Sequence, residues 1–318
     1  MATVLRPLST SELLDRTFHL YRNHFLLFVG IAAMPQILVL GLQLGDSALL
    51  ATKLIDWVLI ATFVIAIVNW LAIEASHAGT VIAVSNIQLD KPAGIGSAYS
   101  STWRSLPRVI LISFLFVFVP AIIAGLIAAV IIAAVAVPLA FLSHGSMGNL
   151  TMIRIISGVA ALGVFLLVIP IGLRWWLAWA LSIPVTIVEG KGTLASFRRS
   201  KELTKGSKGR IFLIGLLMVG LTWLVSTFLQ LPILLVAGLR AVRDPMSAGP
   251  ILHVVQSACA FVSISLVGPL LTIALTLVYY DQRVRKEGFD LQLMMAALQP
   301  GSALPGSEPA AAAAAPNS

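Results

Sequence analysis

The sequence predicts an all-α integral membrane bundle of six transmembrane helices with three cytoplasmic amphipathic helices. Three observations lead there. The first is composition: 58% of the 318 residues are hydrophobic and 11% charged, with a mean hydropathy of +0.98. Soluble domains carry charge on about a quarter of their residues, so a soluble fold of this length cannot hide so much apolar surface. The second is six apolar runs, at 26–44, 57–87, 109–142, 155–188, 211–239 and 251–280. A helix needs about 20 apolar residues to cross a bilayer, and the longer runs imply tilt, kinks or extension beyond it.

The third observation is charge placement. The segments before the first run, between the second and third, between the fourth and fifth, and after the sixth carry 3, 3, 7 and 3 Lys or Arg. The other three loops, 45–56, 143–154 and 240–250, carry 1, 1 and 2. Short loops rich in Lys and Arg stay on the cytoplasmic side, so both termini are expected in the cytoplasm. The same placement disposes of a nucleic-acid reading of the formal charge of +8: the cations flank apolar runs and do not line one soluble face.

The chain divides accordingly. Residues 1–25 form a cytoplasmic amphipathic helix, and 26–280 form the six-helix transmembrane domain, with a basic cytoplasmic loop at 189–210. Residues 281–299 make a cytoplasmic C-terminal segment, and 300–318 an Ala/Pro-rich tail expected to be disordered. In the N-terminal stretch STSELLDRTFHLYRNHF at 9–25, Ser9 and Glu12 have capping-box spacing. Leu13, Leu14, Thr17, Phe18, Leu20, Tyr21, His24 and Phe25 share one face. Such a helix either lies in the headgroup region or packs on the other cytoplasmic segments. Because the first apolar run starts only at Leu26, the N-terminus does not read as a cleavable signal peptide. FHLYR at 18–22, WRSLPR at 103–108 and KELTK at 201–205 each close a short polar helix before an odd-numbered span, a weak repeat of helix plus hairpin. Prolines at 35, 120, 138, 170, 184, 232 and 269 mark candidate kinks or helix ends.

Few residues offer chemistry. Glu74 and Arg174 are the two charges well inside apolar runs, at similar depth in the cytoplasmic half, and a buried charge is expected to find a partner. His77 lies one turn from Glu74. Glu74, His77 and Arg174 are therefore a candidate intramembrane polar site, either a substrate or coupling site or a structural ion pair near the interface. Trp175, Trp176 and Trp179 beside Arg174 favour the interface. No metal is expected, because no further His or carboxylate joins Glu74 and His77, and the single Cys259 supports neither a disulfide nor a Cys metal site. It reads as a small buried hydrophobe. P-loop, GxSxG and HExxH motifs are missing, so neither a cofactor nor an enzymatic activity is expected. The basic loop offers a second candidate. From 193 to 205 a helix gathers Arg198, Arg199, Glu202 and Lys205 on one arc and Leu194, Phe197 and Leu203 on the other. Arg198, Arg199, Lys201 and Lys205 are the candidate contacts for lipid headgroups or a partner, each cation near an anionic leaflet being worth about 1 kcal/mol. The alternative is that they serve only to set topology.

Three stretches, RPLSTSELLDRTFHLYRNHF at 6–25, VEGKGTLASFRRSKELTKGS at 188–207 and YYDQRVRKEGFDLQL at 279–293, resemble the glycerophosphodiester phosphodiesterase membrane-domain family of uncharacterised bacterial multi-pass proteins. The similarity runs to about residue 295 of the chain. It implies a six-helix membrane domain in the bacterial cytoplasmic (inner) membrane. Some members are fused to a catalytic phosphodiesterase barrel, but this chain has no His-Arg-Gly motif and no soluble stretch long enough for one. Lys201 stands where the family more often has an aromatic residue. The resulting expectation is a non-catalytic membrane scaffold or accessory domain contacting lipid, a protein partner or a second copy of itself. The alternative is a small-solute or lipid transporter using Glu74, His77 and Arg174. Reporter fusions after Leu50, Gly148 and Ala248 should all report outside; a single cytoplasmic report would contradict the six-span topology.

Overall fold

The computed structural model describes residues 7–51, 55–142, 149–243, 250–289 and 295. Among them every regular element is a helix. Six are long and apolar enough to span a membrane: α2 (Phe25–Ala51), α3 (Ile55–Gln88), α5 (Leu106–Leu142), α6 (Asn149–Trp179), α9 (Lys208–Arg243) and α10 (Pro250–Glu287). Four short helices, α1 (Thr10–Asn23), α4 (Ile95–Thr102), α7 (Ser182–Glu189) and α8 (Thr193–Thr204), precede or extend them. Each of the hairpins α2–α3, α5–α6 and α9–α10 is thus led in by a short helix, as the repeat predicts. The tail at 300–318, the C-terminal segment past 289 apart from residue 295, and the centres of the other three loops lie outside the described residues.

α10 is the axis. In its most apolar stretch 61% of residues are buried, against none in that of α5. Small residues explain the difference: Ser257, Ser263, Ser265 and Ala274 are buried along α10, and small side chains let membrane helices approach closely. α2, α3 and α9 pack on it, while α5 and α6 form a peripheral hairpin. Cys259, expected to be buried, is only half-buried. The 38 residues of α10 rise about 57 Å at 1.5 Å each, well beyond a hydrocarbon core of about 30 Å. Its last turns therefore project past the apolar layer, and the short helices gather round them.

α1 packs on the bundle. Its capping box is formed, with the Glu12 amide donating to Ser9 Oγ at 3.2 Å and the Ser9 amide to Glu12 Oε2 at 2.7 Å. Leu13, Thr17 and Leu20 are buried. The Tyr21 hydroxyl donates to the Leu266 carbonyl of α10, and Arg16 donates to Gln88 of α3 at 2.9 Å. Desolvation pushes the Tyr21 phenol up to about 12. α4 stops at Thr102 because Pro107 would thrust its ring at the Trp103 carbonyl of a continuing helix. It crosses α2 where Gly30 has no side chain, since a Cβ there would collide with Ile95, and the Tyr99 hydroxyl donates to the Ile31 carbonyl.

The fourth apolar run, read as one span at 155–188, is two helices. α6 ends at Trp179 and α7 begins at Ser182. Pro184 is the cause: it lacks an N–H, and its ring excludes a helical carbonyl at Ala180. The backbone groups released at this break are taken up by a side chain from the basic loop. Ser200 of α8 donates to the Ala178 carbonyl at 2.9 Å and accepts from the Leu181 amide at 3.2 Å. Ser200 is fully buried, as are its neighbours Ser196 and Thr204. Ser200→Ala should lower stability by about 1–3 kcal/mol, because it leaves Leu181 N–H buried without an acceptor. Thermal unfolding in detergent reads this out, and an unchanged midpoint would mean that the break is satisfied otherwise.

Candidate functional site

Among the described residues two places collect polar side chains: the end of the bundle where the short helices meet, and a cavity among the spanning helices. At the polar end the organising group is Asp281 of α10, whose side chain is 1% exposed. Its Oδ1 accepts the Leu8 amide at 2.8 Å. Its Oδ2 accepts Arg210 Nη1 at 2.7 Å and Arg285 Nε at 2.9 Å. Both arginines also donate to the Leu8 carbonyl. The carboxylate therefore ties the segment before α1 to the start of α9 and to the last turns of α10.

A second cluster lies beside it. Glu189, the last residue of α7, accepts from Lys191 at 2.7 Å, from Arg199 of α8 at 3.2 Å and from the Tyr279 hydroxyl at 3.0 Å. Arg199 also pairs with Glu287, which Arg283 holds at 3.2 Å. The Arg283 guanidinium stands 3.9 Å from the centroid of Phe289, a cation–π contact. Burial alone would lower the pKa of Arg199, but the charges of Glu189 and Glu287 outweigh it and hold the pKa above its ordinary value. Lys286 Nζ donates to the carbonyls of Glu202 and Lys205 at 2.7 Å each, covering the C-terminal carbonyls of α8.

These contacts divide the basic candidates. Arg198, Lys201 and Lys205 are exposed, whereas Arg199 is half-buried and engaged on three sides. The single basic arc expected for α8 is thus corrected at Arg199. The helix is rotated so that Ser196, Phe197, Ser200, Leu203 and Thr204 face inward, which swings Arg199 toward Glu189 and Glu287 and leaves Leu194 71% exposed. Next to α8 an open pocket of about 570 Å³ is lined by Lys205, Gly206, Ser207, Gly209, Arg210, Gln282, Arg285 and Lys286. Four cations surround it, and Asp281, which touches two of them, is already shared.

The second place is Glu74 on α3, 6% exposed. Ser113 of α5 donates to its Oε2 at 2.5 Å, the length of a charge-assisted O–H···O bond. His77 Nδ1 stands 3.7 Å from the same oxygen. These three side chains border a cavity of about 240 Å³ between α3, α5, α6, α7 and α10. Trp176 and Trp179 of α6 form part of its wall; Trp176 reaches in by lying against Gly215, where a Cβ would collide with the indole. Trp179 is packed on Trp175 and on Phe197 of α8, with ring centroids 3.8 and 4.1 Å away.

Arg174 does not join Glu74. It is exposed, and among the described residues no ion pair links the two. Two residues along a helix is a turn of about 200°, so the face that brings Trp176 into the cavity turns Arg174 away. Sequence reading missed Ser113 and Ser182 at the cavity and Asp281, Glu189, Glu287 and Arg210 at the polar end. The i,i+4 pairs Asp281–Arg285 and Arg283–Glu287 were the available signal.

Comparison of the chain with protein-family models, curated proteins and solved structures finds no match. The geometry makes two predictions. Asp281→Asn should cost about 3 kcal/mol, since it leaves two guanidinium groups without their shared anion, whereas Lys201→Gln should change stability by less than about 0.5 kcal/mol. Chemical denaturation in detergent compares them, and equal small losses would refute the role given to Asp281. In a double-mutant cycle, Glu74→Gln and Arg174→Leu should be additive to within about 0.5 kcal/mol; a larger coupling energy would mean that the two charges pair.

Proposed function

We propose that the chain is a non-catalytic scaffold or accessory module of a bacterial cytoplasmic membrane, with both termini inside, whose basic end holds anionic lipid headgroups or an acidic protein partner. The observation that carries this reading is the excess of cations at that end. Arg198, Lys201 and Lys205 point outward, and Lys205, Arg210, Arg285 and Lys286 surround one open pocket. The nearby carboxylates of Asp281, Glu189 and Glu287 are taken up by internal pairs. Exposed Trp103 on the α4–α5 link and Leu194 on α8, 76% and 71% exposed, suit the headgroup boundary, where an aromatic or apolar group beside cations anchors a peripheral helix. The resemblance to the glycerophosphodiester phosphodiesterase membrane domain agrees with an accessory role, because catalysis in that family belongs to a separate barrel.

A transporter is the second reading, favoured by the cavity at Glu74 and His77. Arg174, turned away from that cavity, has no part in it. The scaffold reading is tested by the preference of the reconstituted chain for spin-labelled phosphatidylglycerol over phosphatidylcholine. Replacing Arg198, Lys201 and Lys205 together by Gln should reduce that preference about tenfold or more, at about 1 kcal/mol per cation, and raising the salt should do the same to the unmodified chain. Replacing Arg199 should instead lower stability. An unchanged lipid preference in the triple variant would retire lipid binding at this end and leave the acidic partner as its ligand.

A further inference from the structure

We propose that the cavity at Glu74 is a binding site for an organic ammonium group, with the charge at the Glu74 carboxylate and the apolar substituent against Trp176 and Trp179. The site lies among the spanning helices and stands whether or not the basic end holds lipid.

Charge comes first. A carboxylate 6% exposed can accept about four hydrogen bonds, yet among the described residues Glu74 accepts one, a short bond from Ser113. His77 stands beyond hydrogen-bond distance, at 3.7 Å, and the arginine at similar depth points elsewhere. A buried carboxylate with one hydroxyl donor and an imidazole 3.7 Å away has room for a further partner, and a cation there would compensate its charge. The remaining wall selects its kind. Apart from Glu74, His77, Ser113 and Ser182, the lining is apolar, including Ile112, Phe116, Leu271 and Leu275. A calcium or magnesium ion takes six or more oxygen ligands and a zinc ion at least three protein ligands. Glu74 and His77 are the two ligating side chains in this lining, and among the described residues no group of three His, Cys, Asp or Glu is brought together to hold a metal ion. An ammonium with carbon substituents sheds water more readily, and the indoles of Trp176 and Trp179 attract it further through cation–π contact. About 240 Å³ accommodates a quaternary ammonium bearing one small ring or a short chain.

The route is lateral. The cations of the polar end repel a positively charged ligand, whereas Val117, which borders the cavity, is 52% exposed on the outer face of α5. The ammonium can therefore arrive from the bilayer either as a free amphiphilic amine or as the headgroup of an aminolipid.

The full chain, purified in dodecyl maltoside, would be titrated with radiolabelled benzyltrimethylammonium by equilibrium dialysis. Saturable binding is expected, weakened about ten- to a hundredfold by Glu74→Gln, because the quaternary ammonium has no N–H and is held at this carboxylate by charge alone. Val117→Trp, which narrows the lipid-side edge without touching the charge, should also weaken it. Val117→Trp keeps the test decisive if Glu74→Gln fails to fold. Competition by short-chain phosphatidylethanolamine but not phosphatidylglycerol would assign the ammonium to a lipid headgroup, and competition by neither would assign it to a free amine. Equal competition by both, no saturable binding to the unmodified chain, or undiminished binding to folded Glu74→Gln would overturn the proposal.

Discussion

The polar end of this bundle depends on one carboxylate that is almost wholly withdrawn from solvent. Asp281 accepts from the backbone of Leu8, from Arg210 at the start of α9 and from Arg285 one turn along its own helix. Residues more than 270 apart in sequence are thereby fixed to one point. Such a cluster adds little net stability, because desolvating the charges offsets most of their attraction, but breaking it strands buried charge. Its effect is on specificity of packing. It fixes the level at which the segment before α1 and the start of α9 meet α10.

α8 shows why the basic loop cannot be treated as a free surface helix. Two consecutive residues do structural work of different kinds. Ser200 accepts and donates across the break that Pro184 imposes between α6 and α7, and Arg199 joins Glu189 to Glu287. The exposed cations on either side are held in place by these buried partners. A surface with excess positive charge is therefore presented by a rigid scaffold, at the end where α10 emerges. Trp179, on the wall of the Glu74 cavity, packs on Phe197 of α8, so the cavity and the basic helix meet through these two rings.

Much of this architecture was legible in the sequence. Runs of apolar residues fix spans because a bilayer has one thickness, and the capping box of α1 is a local pattern that local geometry satisfies. Depth along a helix was equally readable, and for that reason Glu74 and Arg174 looked like partners. Pairing also needs matching azimuth, which depends on which face of α6 packs inward, and Trp176 against Gly215 decides that. The role of Ser200 was hidden for a similar reason. Nothing in a small hydroxyl says that it will meet released backbone groups from a helix twenty residues earlier. Asp281 stood in the open, in an i,i+4 relation to Arg285, but its other partners come from α9 and from the segment before α1, and neither contact is local.

The most direct test of the Asp281-centred end is backbone amide hydrogen exchange on the full chain in nanodiscs. If buried pairs lock the short helices onto α10, the amides of α8 and of the last turns of α10 should exchange as slowly as the buried middle of α10. In Asp281→Asn, protection should fall together in α1, α8 and the first turn of α9, with the middle of α10 unchanged. Rapid exchange of α8 in the unmodified chain, or loss of protection confined to the turn around residue 281, would contradict the account.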